Sequence, residues 1–131
     1  MTQDEVAANL RRNAAYRTRH PERRWETILK SRHGIDGQVY SFQLVAQFYA
    51  CAICLVPFTN TTNSSRPNID HDHNCCKGTK KSCGKCFRGL LCGNCNRLLG
   101  LAFDNPKILE NARDYLINGP FNSKLERLNQ S

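Results

Sequence analysis

Two kinds of reactive side chain recur in this sequence at regular spacing. Cysteines form three Cys-x-x-Cys pairs, Cys51/Cys54, Cys83/Cys86 and Cys92/Cys95, and Cys75 and Cys76 stand side by side between the first pair and the second. Two intervening residues let both sulfurs of a tight turn face one ion, and two such pairs complete a tetrahedral zinc site. Spacing alone does not say which pairs combine. Cys83/Cys86 with Cys92/Cys95 is the compact choice, but it leaves residues 88–91 little room to run as a strand out of the site. Cys51/Cys54 with Cys92/Cys95 encloses residues 55–91, enough for a hairpin. A second zinc would draw on Cys75, Cys76, Cys83 and Cys86; because adjacent cysteines usually point apart, only one of Cys75 and Cys76 is expected to join it. Free thiols, or a disulfide formed on oxidation, are the alternatives for this group.

The second kind is the run Ile69-Asp70-His71-Asp72-His73. An imidazole titrates near neutrality and can take a proton from water, and a carboxylate beside it can hold a hard divalent ion. In a strand, Asp70 and Asp72 face one way and His71 and His73 the other. At a strand end that alternation can relax, so that Asp70 and His71 reach one phosphate. A solvated turn and a pair of further zinc ligands are the competing readings of the same run. Asn96 directly follows Cys95, near the start of a helix, and by itself reads as a helix cap.

The elements that must position these residues are legible in outline. Thr2 and Glu5 form a capping box for a helix running to about Arg19, and Pro21 suits the first position of a second helix. Trp25, Ile28 and Leu29 share one face of that helix, and Gly34 is its C-terminal cap. A third helix is expected over residues 41–50, with Phe42, Val45, Ala46 and Tyr49 on its buried side. Residues 51–66 read as a metal knuckle running into a polar loop. Short strands are expected at residues 68–71 and 87–91, joined by the Cys- and Lys-rich loop 74–86. Helical spacing begins again at Leu98, Leu99 and Ala102. A last helix starts at Asp104 or Asn105 before Pro106, buries Ile108, Leu109, Ala112, Tyr115 and Leu116, and ends at Gly119–Pro120. The fold class is therefore α+β, with no internal repeat and room in 131 residues for one modest core.

Charge narrows the partner. The net charge of +8 is unevenly spread: only Glu22 and Glu26 offset the basic residues from Arg11 to Arg32, and no acidic residue lies between His73 and Phe103. Such asymmetry points to a polyanion, and nucleic acid is the usual one. Arg23, Arg24, Lys80, Lys81, Arg88 and Arg97 are the candidate phosphate contacts. The longest apolar stretch, residues 44–56, is interrupted by Gln47 and too short to span a bilayer. The opening MTQDEVAANL lacks the cationic and then apolar pattern of a secretion signal. The expected setting is therefore cytosolic, where paired cysteines bind metal rather than form disulfides.

The ordered motifs C-A-I-C, I-D-H-D-H and F-R-G-L-L-C-G-N-C-N-R-L-L-G, covering residues 51–100, resemble the recombination endonuclease VII family of His-Me finger (HNH) nucleases. The following P-K-I-L-E-N-A-R-D-Y-L is similar to a helix found in smaller members. The resemblance implies a small zinc-stabilised ββα-metal core flanked by helices, with zinc held by Cys51, Cys54, Cys92 and Cys95. It implies His71 as general base, Asp70 and Asn96 as ligands of one divalent ion (Mg2+ or Mn2+), and His73 as a second active-site histidine contacting phosphate. The chain then divides into a basic helical extension (1–50), a catalytic core (51–103) and a C-terminal helix and tail (104–131). The activity implied is hydrolysis of DNA phosphodiester bonds, leaving 5′-phosphate and 3′-hydroxyl ends. The substrate stays open between nicked, double-stranded and branched DNA, and two-strand cutting would call for a homodimer. Two features depart from the family: the loop carries four extra cysteines, and the C-terminal part is shorter than the intertwined helical dimer of the branch-resolving members. A non-catalytic zinc module that binds DNA would need the same charge and cysteines, but not Asp70, His71 and Asn96 together. An RNA-directed role lacks an aromatic stacking motif.

Overall fold

The computed structural model describes residues 2–77 and 81–128. In chain order they form α1 (Gln3–Arg19), α2 (Pro21–Ile28) running into a π-helical turn (Leu29–His33), α3 (Gly37–Ala46), β1 (Asn68–His71), β2 (Phe87–Leu91), α4 (Gly93–Leu101) and α5 (Pro106–Leu128). The fold is mixed: helices around one small antiparallel sheet of two strands. Among the described residues, no helix is long and apolar enough to cross a membrane.

Local chemistry accounts for most element ends. Both halves of the Thr2–Glu5 capping box are made at the start of α1. Gly34 ends the π-helical turn in the left-handed region, φ 65°. Helix α3 starts earlier than residues 41–50, because the Asp36 side chain accepts a hydrogen bond from the Val39 amide at 2.9 Å and caps it. It stops before Phe48 and Tyr49, which take left-handed φ values of 52° and 57°.

The face of α3 also differs from expectation. Phe42, Val45 and Tyr49 are exposed, while Gln43, Leu44 and Gln47 turn inward. The cause is Gln47, whose side-chain amide bonds the outer edge of β2: Oε1 accepts from the Leu90 amide at 2.9 Å, and Nε2 donates to the Leu90 carbonyl at 2.8 Å. Its Nε2 also donates to the Ala50 carbonyl at 2.9 Å. A side chain thus does for this strand edge what a neighbouring strand would do. Gly89 leaves space for it, since a Cβ there would lie 3.1 Å from Gln47 Oε1.

The last helix departs more. Its expected buried face is exposed at Ile108, Tyr115 and Leu116, because this helix packs little against the rest of the described chain. The helical path breaks at Gly119 (φ 68°, ψ −177°) as expected, then resumes after Pro120, whose fixed φ suits a new first turn.

The core is small. Leu29, Leu90 and Cys51 are fully buried, and Leu91, Cys92 and Cys95 cluster with Cys51 under Phe58 and Leu99. Three of the cysteines expected to bind zinc therefore lie inside the core, where a metal can substitute for apolar volume that a chain of this size lacks.

Candidate metal and nuclease site

Four sulfurs, those of Cys51, Cys54, Cys92 and Cys95, lie within 4.8 Å of one another. The knuckle from residue 51 is shaped by backbone bonds from Cys51 to the Val56 carbonyl (3.0 Å) and from Leu55 to the Cys51 carbonyl (3.0 Å), and it docks on the hairpin through Ala52 to the Leu90 carbonyl (3.2 Å). Cys92 caps α4, accepting from the Cys95 amide through its sulfur. Zinc–sulfur bonds of about 2.3 Å in a tetrahedron give edges of about 3.8 Å, and Cys54 and Cys92 are 3.8 Å apart. The set could hold zinc. Burial pushes Cys51 up, but hydrogen bonds from the Cys92, Cys54 and Ile53 backbone outweigh it and bring the thiol down to about 6. Burial, joined by the other three thiols, pushes Cys95 up. Were all four to ionise, thiolates crowded like this would need a cation among them.

The loop cysteines converge as well. Cys75, Cys76, Cys83 and Cys86 form a second set within 4.8 Å, so both members of the vicinal pair take part, contrary to the expectation that only one would. The turn after β1 explains it. Asp72 accepts from the Asn74 amide through its side chain (2.9 Å) and from the Cys75 amide through its carbonyl (3.1 Å), curling both thiols to one side. This set, too, could hold zinc.

Asp70 and His71 occupy the last two positions of β1. Asn68 pairs with Leu91, Ile69 with Leu90 and Asp70 with Gly89, but His71 pairs with Phe87, so Arg88 is the extra residue of a bulge. A bulge raises local twist and re-aims side chains, which breaks the strict alternation of a flat strand where Asp70 meets His71. Asp70 is buried, and both its oxygens accept from Arg88, from Nε at 2.7 Å and Nη2 at 3.1 Å. Arg88, expected as a phosphate contact, is thus engaged with a carboxylate.

Sequence reasoning missed two further residues. Asp104, read only as a helix start, sits at left-handed φ 51° with its side chain 7% exposed. It meets His73 Nδ1 at 2.5 Å and Arg88 Nη2 at 3.4 Å. Burial would push its carboxyl up, but the His73 hydrogen bond and the Arg88 charge hold it below the usual carboxylate range. His33, at the end of the π-helical turn, has its pKa lowered by burial and by the nearby His71 and Arg32. The Nδ1 atoms of His33 and His71 and Oδ1 of Asp104 are buried without a hydrogen-bond partner. The His71 and His73 rings lie 4.7 Å apart. No spacing rule connects residue 33 or 104 to residues 70–73; only folding does.

A carboxylate has about four acceptor positions, so Asp70 keeps acceptor capacity beside Arg88, and Asp104 Oδ1 has no hydrogen-bond partner. Asn96 lies in the first turn of α4, half-buried, with its amide bonded to the Cys92 carbonyl at 3.0 Å, and α4 packs on both strands. Of the expected phosphate contacts, Arg23, Arg24, Lys81 and Arg97 are exposed, with Arg23 donating to the Tyr16 hydroxyl at 2.9 Å; Lys80 lies outside the described residues. Arg23, Arg24 and Arg32 line one groove along α2.

The family model described as recombination endonuclease VII matches residues 22–118. The chain belongs to that family. The endonuclease VII match takes in both cysteine sets, the Asp70–His73 run, Asn96, Asp104 and also His33. A relative in Mycobacterium phage L5, "Gene 59 protein", is 33% identical over 110 residues, which is 80% of this chain and 57% of the relative. The chain thus spans little more than half the length of that curated protein. No solved structure matches.

Proposed function

We propose that this chain is a metal-dependent DNA endonuclease of the His-Me finger type, with His71 as general base. One observation carries the reading: the Asp70–His71 step coincides with the bulge of a hairpin whose second strand leads directly into a cysteine-capped helix bearing Asn96. In this reading residues 1–50 are a basic extension that grips DNA, residues 51–103 the catalytic core, and residues 104–131 a C-terminal helix and tail. Zinc at Cys51, Cys54, Cys92 and Cys95 is structural. Its setting is the cytosol of a phage-infected host, in keeping with the phage relative.

His71 Nδ1 is buried, so Nε2 is the nitrogen that takes a proton from water. The hydroxide attacks phosphorus, the bond to the 3′ oxygen breaks, and that oxygen takes up a proton to leave as a hydroxyl; the phosphate stays on the 5′ end. Asp70 and Asn96 would hold a magnesium or manganese ion, which supplies charge to offset that developing on the phosphate and the leaving oxygen. Arg88 fixes the Asp70 carboxylate through two hydrogen bonds, and His73, held by Asp104, faces the phosphate.

His71→Ala should lower plasmid cleavage by about 10²–10⁴-fold, with DNA binding and zinc content near wild type. Cleavage at the wild-type rate would remove His71 from the mechanism. A non-catalytic zinc module that binds DNA is the second reading, favoured by Arg88's engagement of both Asp70 oxygens. Plasmid that stays intact across a magnesium and manganese titration, while still shifting in a gel, would select that reading. If both strands are cut from one site per chain, the working unit is a homodimer, which sedimentation on DNA would reveal.

A further inference from the structure

The four loop cysteines are set out as a metal site in more than proximity. Cys75 and Cys83 sulfurs are 3.7 Å apart, Cys76 and Cys86 3.9 Å, and Cys83 and Cys86 3.8 Å. These match the edge of about 3.8 Å that a tetrahedral zinc–thiolate centre requires. Two polar groups also contact the sulfurs: the Cys83 amide donates to Cys76 Sγ at 3.3 Å, and the hydroxyl of the buried Ser82 shares a hydrogen bond with Cys86 Sγ at 3.2 Å, in which it would be the donor once the sulfur is a thiolate. Hydrogen bonds from outside the ligand set are what orient and stabilise metal-bound thiolates.

The same loop grips a distant part of the chain. The Ser82 amide donates to the Arg32 carbonyl at 2.8 Å. Gly34 and Gly84, both at positive φ (65° and 81°), meet backbone to backbone: a Cβ on Gly84 would lie 2.2 Å from the Gly34 carbonyl oxygen, and one on Gly34 would lie 2.7 Å from the Cys83 carbonyl carbon. Only glycine permits this approach. Arg32 and Gly34, the residues gripped, flank His33, and the adjoining Leu29 and Ile35 are buried.

We propose that Cys75, Cys76, Cys83 and Cys86 bind a second structural zinc, which fixes the loop at 82–84 and so staples the turn carrying His33 onto the hairpin that bears His71. On binding, the four thiols release their protons and ligate as thiolates, and the zinc changes no oxidation state. Among the described residues of 74–86 only Ser82 and Cys86 are buried, so the ion supplies the rigidity that a docking surface needs. The staple stands whether or not the hairpin cuts DNA, so its test reads metal and docking; only the benefit of placing His33 beside a general base rests on the nuclease reading.

The full chain, purified reduced, should contain two zinc ions by elemental mass spectrometry, and the Cys83→Ser/Cys86→Ser variant one. One zinc in the wild type, with the loop thiols either free or in disulfides by mass mapping, overturns the proposal even if the variant fails to fold. In hydrogen exchange, the Ser82 amide and residues 29–35 should lose protection by about tenfold or more in that variant. Gly34→Ala should keep both zincs and lose the same protection. Protection unchanged in both variants would overturn the staple.

Discussion

Arg88 joins two buried carboxylates, Asp70 and Asp104, and each depends on its charge. Removing it takes the guanidinium from both, stranding Asp70 and leaving Asp104 with His73 alone. The penalty for stranding a buried charge is large, but Arg88 is 39% exposed and water tempers it. Arg88→Gln should therefore cost about 1–3 kcal/mol in denaturant unfolding; unchanged stability would show that the pairs contribute nothing net. Two pH windows follow from the shifted groups. His33 titrates lower folded than its ordinary value of 6.5, so the unfolded chain binds the extra proton. Its contribution is complete above that value and is lost as pH falls through the folded pKa. Asp104 is likewise depressed, from 3.8, so its contribution is present above that value and lost as pH falls further. The pH profile of stability should flatten just below 6.5 in His33→Gln, and below 3.8 in Asp104→Asn. Each is read as wild type minus variant, which cancels any acid release of metal common to both proteins. Parallel curves would exclude the group in question.

At the scale of elements, the hairpin is too short to stand by itself. Two strands are marginal in water, and this pair is braced by α4 on its face, the 51–54 knuckle at one edge and the Gln47 amide on Leu90. Gln47 interrupts an apolar run, which in sequence reads as a break. In the fold it is a bridge, and Gln47→Leu should cost about 1–3 kcal/mol by leaving the Leu90 amide unsatisfied. A cost within error would mean that solvent satisfies that edge. The inverted face of α3 has the same origin, since periodicity ranks residues by hydrophobicity and Gln43 and Gln47 were bound to rank as outward. The exposed face of α5 shows the converse limit: an amphipathic pattern gives the side that could be buried, not whether anything within the chain covers it.

For the whole molecule, the proposed grip on a polyanion rests on the basic residues of α2, where Arg23, Arg24 and Arg32 line one groove. Binding that relies on phosphate contacts should weaken linearly in log–log plots against salt, and Arg23→Gln/Arg24→Gln should lower the slope by about 2. An unchanged slope would take α2 out of the DNA path. By itself the sequence determined most element types, both strands, the capping box, the family and, through the family resemblance, the set Cys51, Cys54, Cys92 and Cys95, because these depend on residues close in the chain or on motifs whose order is diagnostic. Tertiary structure alone decided that both vicinal cysteines join the loop set, that Arg88 clasps Asp70, that Gln47 replaces a strand, and that His33 and Asp104 belong beside the hairpin. Those facts arise from backbone bulges, left-handed turns and glycine contacts between segments far apart in the chain, where no local spacing encodes which surfaces will meet.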